Sequence, residues 1–339
     1  MARLKALLIG YGNVGKAVAD RLDQIDVEPI GMIKSDSLVH DMDSNKPIST
    51  DTGAWKTLKP DIVFLTMPST EDGIAAHGYI SHFIKSGVPV VTAEKGAMAN
   101  YFDELLPHVD RLLGISATVG GGTRMLQVLR ERINPQVNQV HLTLNGTLNF
   151  IMDGVSRGQS FGQVVEQAQM LGYAEPGASD HLEVINGEVV GDIPKKISII
   201  WNYTESPEDD SVDLQYVKWK ELKQPAVTEP ELRQLIAEAT VRRYIVSWYR
   251  ASAIIPENDT VCGFEHVTGE WKIVGGFQRV DRNPLFSELN KPGPNNAMVV
   301  ATGDDERDGV YTLSGPGAGP GPTSASMIQD ARKLLAINS

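Results

Sequence analysis

The chain has 339 residues, long enough for two hydrophobic cores of ordinary size. Its 31 basic and 43 acidic residues give a formal charge of −12 with no lysine or arginine cluster, which argues against nucleic acid and anionic membrane as partners. A single cysteine, Cys262, excludes an intramolecular disulfide and a cysteine-rich zinc site; with no leader-like cleavage pattern and no apolar run of membrane-spanning length, the chain reads as soluble and cytoplasmic.

Residues 4–9, LKALLI, form an apolar run suited to a buried strand. They lead into Gly10-Tyr11-Gly12-Asn13-Val14-Gly15 and then the helical spacing of Val14, Val18 and Leu22. Further strands are predicted over VEPIGMI (27–33), 61–67 and 88–93, with a helix over 73–86. This alternation predicts a Rossmann-like, doubly wound parallel sheet. Beyond residue 120 the pattern changes. NQVHLTLNGTLNF (138–150) alternates like a strand, and residues 160–172 read as a helix capped by Ser160 and stopped by Gly172. Strand-like pieces follow at 262–267, 271–280, 296–301 and 309–313, so an α+β second domain with an open sheet is expected. The glycine-rich stretch 314–326 reads as a joint returning the chain to the first domain, through a helix whose inner face carries Met327, Ala331 and Leu334 or Leu335. The expected domains are 1–120 completed by 314–339, for dinucleotide binding, and 121–313, for substrate binding and dimerisation.

In a G-x-G-x-x-G turn the first glycine permits the bend, the second lets a pyrophosphate approach the backbone, and the third lets helix and strand pack closely. Gly10, Gly12 and Gly15 fill those roles, with Asn13 and Val14 opening a helix whose free N–H groups suit an anion. At the end of the second strand Asp36 suits a ribose 2′-hydroxyl and Lys34 a 2′-phosphate. The cofactor is therefore NAD or NADP, with a lean to NAD because Asp36 repels phosphate. Thr66, Met67 and Pro68, at the end of the third strand, border the cofactor by the same topology, and Lys95 leaves the end of the fourth.

The stretch GYAEPGASDHLEVINGEVVGDIPKKISII (172–200) raises a separate question, because two lysines adjoin an apolar run. Asp192 and Lys196 are four residues apart and share a face at what reads as a helix start, where Pro194 is tolerated. A lysine there, with its pKa lowered by burial, can exchange a hydroxyl proton. The same spacing also suits a helix-capping aspartate and an ordinary surface pair. Lys195 is expected in solvent, Glu183 and Glu188 facing water, and His181 in a loop.

Taken together, GYGNVG (10–15), VTAEKGAMA (91–99), SATVGGGT (116–123), NGTLNF (145–150), GYAEPGASD (172–180), GDIPKK (191–196) and SGPGAG with TSASMIQD (314–330) resemble homoserine dehydrogenase. The matches run in family order over nearly the whole chain. The resemblance implies NAD(P)-dependent interconversion of L-homoserine and L-aspartate 4-semialdehyde, on the route to threonine, methionine and isoleucine. It implies a homodimer formed through the second domain's sheet, and a form without kinase or C-terminal regulatory domain. Lys196 and Asp192 take the positions of the family's catalytic lysine and aspartate. Lys95 is expected to touch the nicotinamide ribose and approach the substrate oxygen, and Gly319 to border the cofactor. Homoserine carries an ammonium and a carboxylate. Glu175 and Asp180 are expected to bind the former, with Gly146, Thr147, Tyr173 and Lys196 completing the substrate site. Two family positions differ: Glu94 stands where asparagine is usual and Ser116 where glutamate is usual, which bears on a sodium ion at Val119, Gly121 and Thr123. An insertion of about six residues before GDIPKK is a further departure. The alternatives are a related dehydrogenase acting on another small amino acid or polyol, and a non-catalytic NAD(H)-sensing module.

Overall fold

The computed structural model describes residues 3–174, 180–205, 216–303 and 309–338. Strand β1 (Leu4–Ile9) is buried from Ala6 onward, as a run apolar on both faces should be. There follow α1 (Asn13–Ala19), β2 (Val27–Ile33), β3 (Val39–His40), β4 (Ile62–Leu65), α2 (Ile74–Lys85), β5 (Val90–Thr92), α3 (Gly96–Asn100), α4 (Phe102–Leu105) and β6 (Leu113–Gly114). They build a sheet of order β3-β2-β1-β4-β5-β6. All its pairings are parallel except β2 with β3. The four expected strands are present; β3 and β6, two residues each, are too short to show a period. Because β2 lies on one side of β1 and β4 on the other, the chain reverses its winding direction at β1. Ligands of open α/β sheets bind at the carboxyl ends of the strands flanking such a point.

The second unit begins with α5 (Met125–Arg132), β7 (Gln139–Thr143), α6 (Gly146–Ser156), α7 (Phe161–Met170) and α8 (His181–Asn186). A π-helical segment, Gly187–Asp192, runs straight into α9 (Ile193–Glu205). Then come α10 (Glu229–Ala237), β8 (Arg242–Arg250), β9 (Val261–Thr268), β10 (Trp271–Arg279), β11 (Asn295–Ala301) and β12 (Val310–Pro316). The sheet order is β12-β11-β7-β8-β10-β9, antiparallel throughout. The strand expected over 138–150 ends at Thr143, because the Asn145 side chain accepts from Leu148 N and starts α6. Helix α7 begins as expected, Ser160 accepting from Gln163 N, and the chain turns at Gly172 with φ +71°. Strand β8 was not anticipated: it is buried along nearly its whole length and opens with two arginines.

The chain returns to the first unit through α11 (Pro320–Asn338). The expected joint is largely ordered, since Ser314–Pro316 belong to β12 and Pro320 already opens the helix, where a missing N–H costs nothing. Met327, Ile328, Ala331 and Leu334 of α11 join Leu8, Val18, Phe64 and Val91 in one core. The compact units are Met1–Gly122 with Pro320–Ser339, and Thr123–Gly319.

Candidate active site

The glycine turn between β1 and α1 assigns a distinct role to each glycine. Gly10 has φ +87°, and a Cβ on it would lie 2.5 Å from Met67 N; one on Gly15 would lie 2.3 Å from Gly10 O. These two are glycine because backbone packs against backbone. A Cβ on Gly12 would meet nothing within 4 Å. Gly12 and Asn13 are exposed, and no side chain caps α1, so its first N–H groups face the open space that a pyrophosphate requires. Thr66 Oγ1 donates to Gly10 O at 2.7 Å, which fastens the end of β4 to the turn and places Met67 and Pro68 beside it.

At the end of β2 the carboxylate of Asp36 accepts from Leu38 N at 3.0 Å and lies 2.8 Å from His40 Nε2. The Leu38 N–H, followed by His40, holds its carboxyl below the usual range. Lys34 Nζ donates to Asn45 Oδ1. Both side chains therefore stand at the end of β2 as expected, Asp36 anchored within the turn into β3 and Lys34 to the loop that follows β3.

Lys95 caps α3, its backbone N–H donating to Ser69 Oγ at 2.9 Å. The unusual Glu94 beside it is 1% exposed and accepts from Gly96 N at 2.6 Å and Ala97 N at 2.8 Å. Burial nevertheless pushes its carboxyl up, against the pull of those donors. The other departure, Ser116, is equally occupied: its N–H donates to Asp330 Oδ2 at 2.8 Å and its hydroxyl to Asp330 Oδ1 at 2.5 Å. Both residues thus secure loops of the first unit.

In the second unit, Lys196 Nζ lies 2.6 Å from Asp192 Oδ2 and donates to Leu144 O at 3.2 Å. The residue is 9% exposed. Helix α9 is held by Trp201, whose ring meets those of Trp248 and Trp271 edge-on at 5.0 and 6.2 Å. Ser198 Oγ and Asn202 Nδ2 donate to Val217 O, and Asn202 Oδ1 accepts from Val217 N. The lysine therefore projects from a rigid support.

Four expectations for this stretch are corrected. Asp192 does not stand at a helix start: helix runs from His181 through the π segment into α9, so His181 is helical, its ring 6.0 Å from that of Phe161. Pro194, which lacks an N–H, is the second residue of α9, just past the segment where the backbone pairing widens. Lys195 is not in solvent; it is 7% exposed, with Nζ 5.2 Å from the centroid of Trp219. Nor does Glu188 simply face water: Asn145 Nδ2 donates to Glu188 Oε2 at 2.6 Å and to Asp192 Oδ2 at 3.0 Å. Glu183 is exposed. Asn145 and Glu188 are the members the sequence reading missed. Acids at 188 and 192 followed by Lys196, each four apart, were the available signal.

Among the expected substrate residues, Thr147 Oγ1 donates to Tyr173 O at 2.6 Å, so these two are brought together, and the Tyr173 ring packs on Phe150 at 5.2 Å. A Cβ on Gly146 would lie 2.7 Å from Pro294 O, which explains the glycine. Asp180 is exposed, its carboxylate capping α8 through Leu182 N. Glu175 lies outside the described residues. Gly319, with φ +103°, turns the chain into α11. Val119 and Thr123 are buried, and Gly121 has φ +53°. Among the described residues no three His, Cys, Asp or Glu side chains are grouped to hold a metal, and no helix is long and apolar enough to cross a membrane.

A Rossmann-type sheet with an open glycine turn, and a second unit presenting a lysine gripped by a carboxylate, define a nicotinamide-dependent oxidoreductase. The family model for homoserine dehydrogenase matches residues 125–331, and the chain belongs to that family. It is 26% identical to a homoserine dehydrogenase of Sulfurisphaera tokodaii, over 96% of this chain and 97% of that protein. Its fold is similar to the homoserine dehydrogenase of Thermoplasma acidophilum, at TM-score 0.69 and 18% identity over 97% of this chain and 98% of that one. It is also similar to a hyperthermophilic archaeal homoserine dehydrogenase in complex with NADPH, at TM-score 0.65 and 20% identity over 98% of both chains.

Proposed function

We propose that this chain interconverts L-homoserine and L-aspartate 4-semialdehyde, with Lys196 as the group that exchanges the proton on the substrate oxygen. The carrying observation is the 2.6 Å pair between Lys196 and Asp192, supported by the Leu144 carbonyl. Bound NAD(P) supplies the acceptor or donor of hydride, and the turn at Gly10, Gly12 and Gly15, with Thr66, Met67 and Pro68, would hold it. In the reducing direction the Lys196 ammonium donates a proton to the aldehyde oxygen as negative charge builds there. In the oxidising direction the neutral amine takes the hydroxyl proton. Asp192 keeps the amine in one place in either direction. Lys95 would contact the nicotinamide ribose and the substrate oxygen. Glu175 and Asp180 would take the substrate ammonium, and the backbone at Gly146 with Thr147 and Tyr173 would shape the pocket.

The lean to NAD rests on the anionic Asp36 at the end of β2, which opposes a 2′-phosphate. Since a relative of this fold was captured with NADPH, NADP remains the competing cofactor. The family resemblance supports a homodimer through the second unit's sheet and a sodium ion held by backbone near Val119, Gly121 and Thr123. Light scattering and activity in sodium-free buffer test these two. The test of the function is a panel of amino-acid alcohols and polyols with purified protein, followed by NAD(P)H absorbance. Turnover of another alcohol with none of homoserine overturns the substrate assignment; binding of NAD(P)H with no turnover overturns the enzyme.

A further inference from the structure

We propose that Asn145 is a positioning residue of the reaction, one side-chain amide that fixes the carboxylate on which Lys196 depends. The inference rests on the proton-exchange role of Lys196 given above. Three hydrogen bonds carry it. Asn145 Oδ1 accepts from Leu148 N at 2.8 Å, and Nδ2 donates to Glu188 Oε2 at 2.6 Å and to Asp192 Oδ2 at 3.0 Å. The orientation of the amide follows from chemistry: turned over, its NH₂ would face an N–H and its oxygen two carboxylates. Asn145 is 4% exposed, so each of these bonds lies out of bulk water, where a lost donor is felt most.

Capping alone does not call for asparagine. Aspartate and serine cap helices equally well, but neither has an acceptor together with two N–H donors. The two donors are spent on carboxylates four residues apart on the π segment, whose like charges would otherwise push one another away. Among the described residues, the titratable groups joined to this amide directly or through one ion pair include Glu188 and Asp192 on the π segment and Lys196 on α9. By holding both acids from the start of α6, Asn145 fixes Asp192 in the position from which it grips Lys196.

The substitutions Asn145→Asp and Asn145→Ser separate the two roles, because both keep the helix cap and both lose the bridge. Each variant would be assayed for thermal melting, NAD(P)H affinity and the pH dependence of kcat, using whichever alcohol the wild-type protein turns over. The expected result for both is retained folding and NADH binding, with melting lowered more in Asn145→Asp, where a third carboxylate meets the two acids. In both, kcat should fall on the order of tenfold or more and the acid limb should move to higher pH, since a carboxylate deprived of a donor protonates more readily. The double variant Asn145→Asp with Glu188→Gln reverses the bond, an amide at position 188 now donating to a carboxylate at position 145. It should recover part of the stability that Asn145→Asp loses but not its kcat, because Asp192 still lacks its donor. A pH profile for either single variant that superimposes on the wild type makes Asn145 a cap and nothing more, as does recovery of full kcat in the double variant, where Asp192 has no donor from position 145. Loss of folding in Asn145→Asp leaves Asn145→Ser to decide. Failure of the Lys196 reading is seen separately, as near-normal turnover in Lys196→Ala, whatever the Asn145 variants do.

Discussion

Replacing Lys196 by alanine leaves Ile197, Ile200 and Trp201 in the interior of α9 and removes only the amine that Asp192 and the Leu144 carbonyl hold. Turnover should fall by about a hundred- to ten-thousandfold, the range typical of a general acid–base group, with NAD(P)H binding retained. Lys195→Ala should do the reverse. Its amine lies over Trp219, so the variant should lose about 0.5–2 kcal/mol of stability in a denaturant titration while turning over normally. Equal losses of turnover at both positions would remove Lys196 from the chemistry. In the glycine turn, Gly12→Val should fold and lose cofactor affinity, because its side chain enters open space. Gly15→Val should lose stability, because its Cβ would strike Gly10 O. The 192/196 pair and the close backbone packing at Gly10 and Gly15 were legible in sequence because local spacing defines them. The burial of Lys195 was not, since the ring that receives it comes from a separate stretch of chain.

The register of one helix decides which of these side chains meet. The π segment Gly187–Asp192 admits one extra residue, and each residue turns a helix by about 100°. Deleting Val190 should restore an ordinary α-helix across the join and change the spacing of the two acids from four residues to three, shifting their carboxylates relative to each other and to the Asn145 amide. The variant should keep its circular dichroism and lose most of its kcat; unchanged kcat would mean that the segment's register does not matter to the site. Such a segment escapes sequence reading because it carries the same apolar spacing as the helices around it. Strand β8 escaped for a different reason. It is buried on both faces, so it lacks the period-two alternation, and it starts with Arg242 and Arg243, which resemble a surface turn. Arg242 is in fact fully buried, paired with Glu238 and Asp259 and donating to Phe277 O at 3.1 Å. Alternating β9 and β10, and the strand–glycine–helix start of the chain, were visible because each buries one pattern in one place.

For the molecule as a whole, acid is the expected weakness, and His141 is one source of it. The ring is fully buried between Tyr249 and Phe286, with Nδ1 3.0 Å from Ser247 Oγ and Nε2 3.1 Å from Gln139 Oε1. Burial pushes its pKa down from 6.5 to about 3. Between those values the unfolded chain binds a proton that the folded one refuses, so stability is full above about pH 6.5 and declines as pH falls toward 3. The slope is at most about 1.4 kcal/mol per pH unit for one group. His141→Leu should be less stable at neutral pH yet lose stability less steeply on acidification, as read from denaturant midpoints across that window. An unchanged slope would place the acid sensitivity elsewhere.

Helix α11 bears on the order in which the molecule can be made. A ribosome releases β1, β4 and β5 first, then every residue of the second unit, and only afterwards Met327, Ile328, Ala331 and Leu334, which share a core with Leu8, Phe64 and Val91. Throughout that interval the apolar surface that α11 will cover has no native partner. Nascent chains halted at Gly319 should therefore be bound by holding chaperones and cut readily by protease within the first unit. Chains extended through Asn338 should resist both.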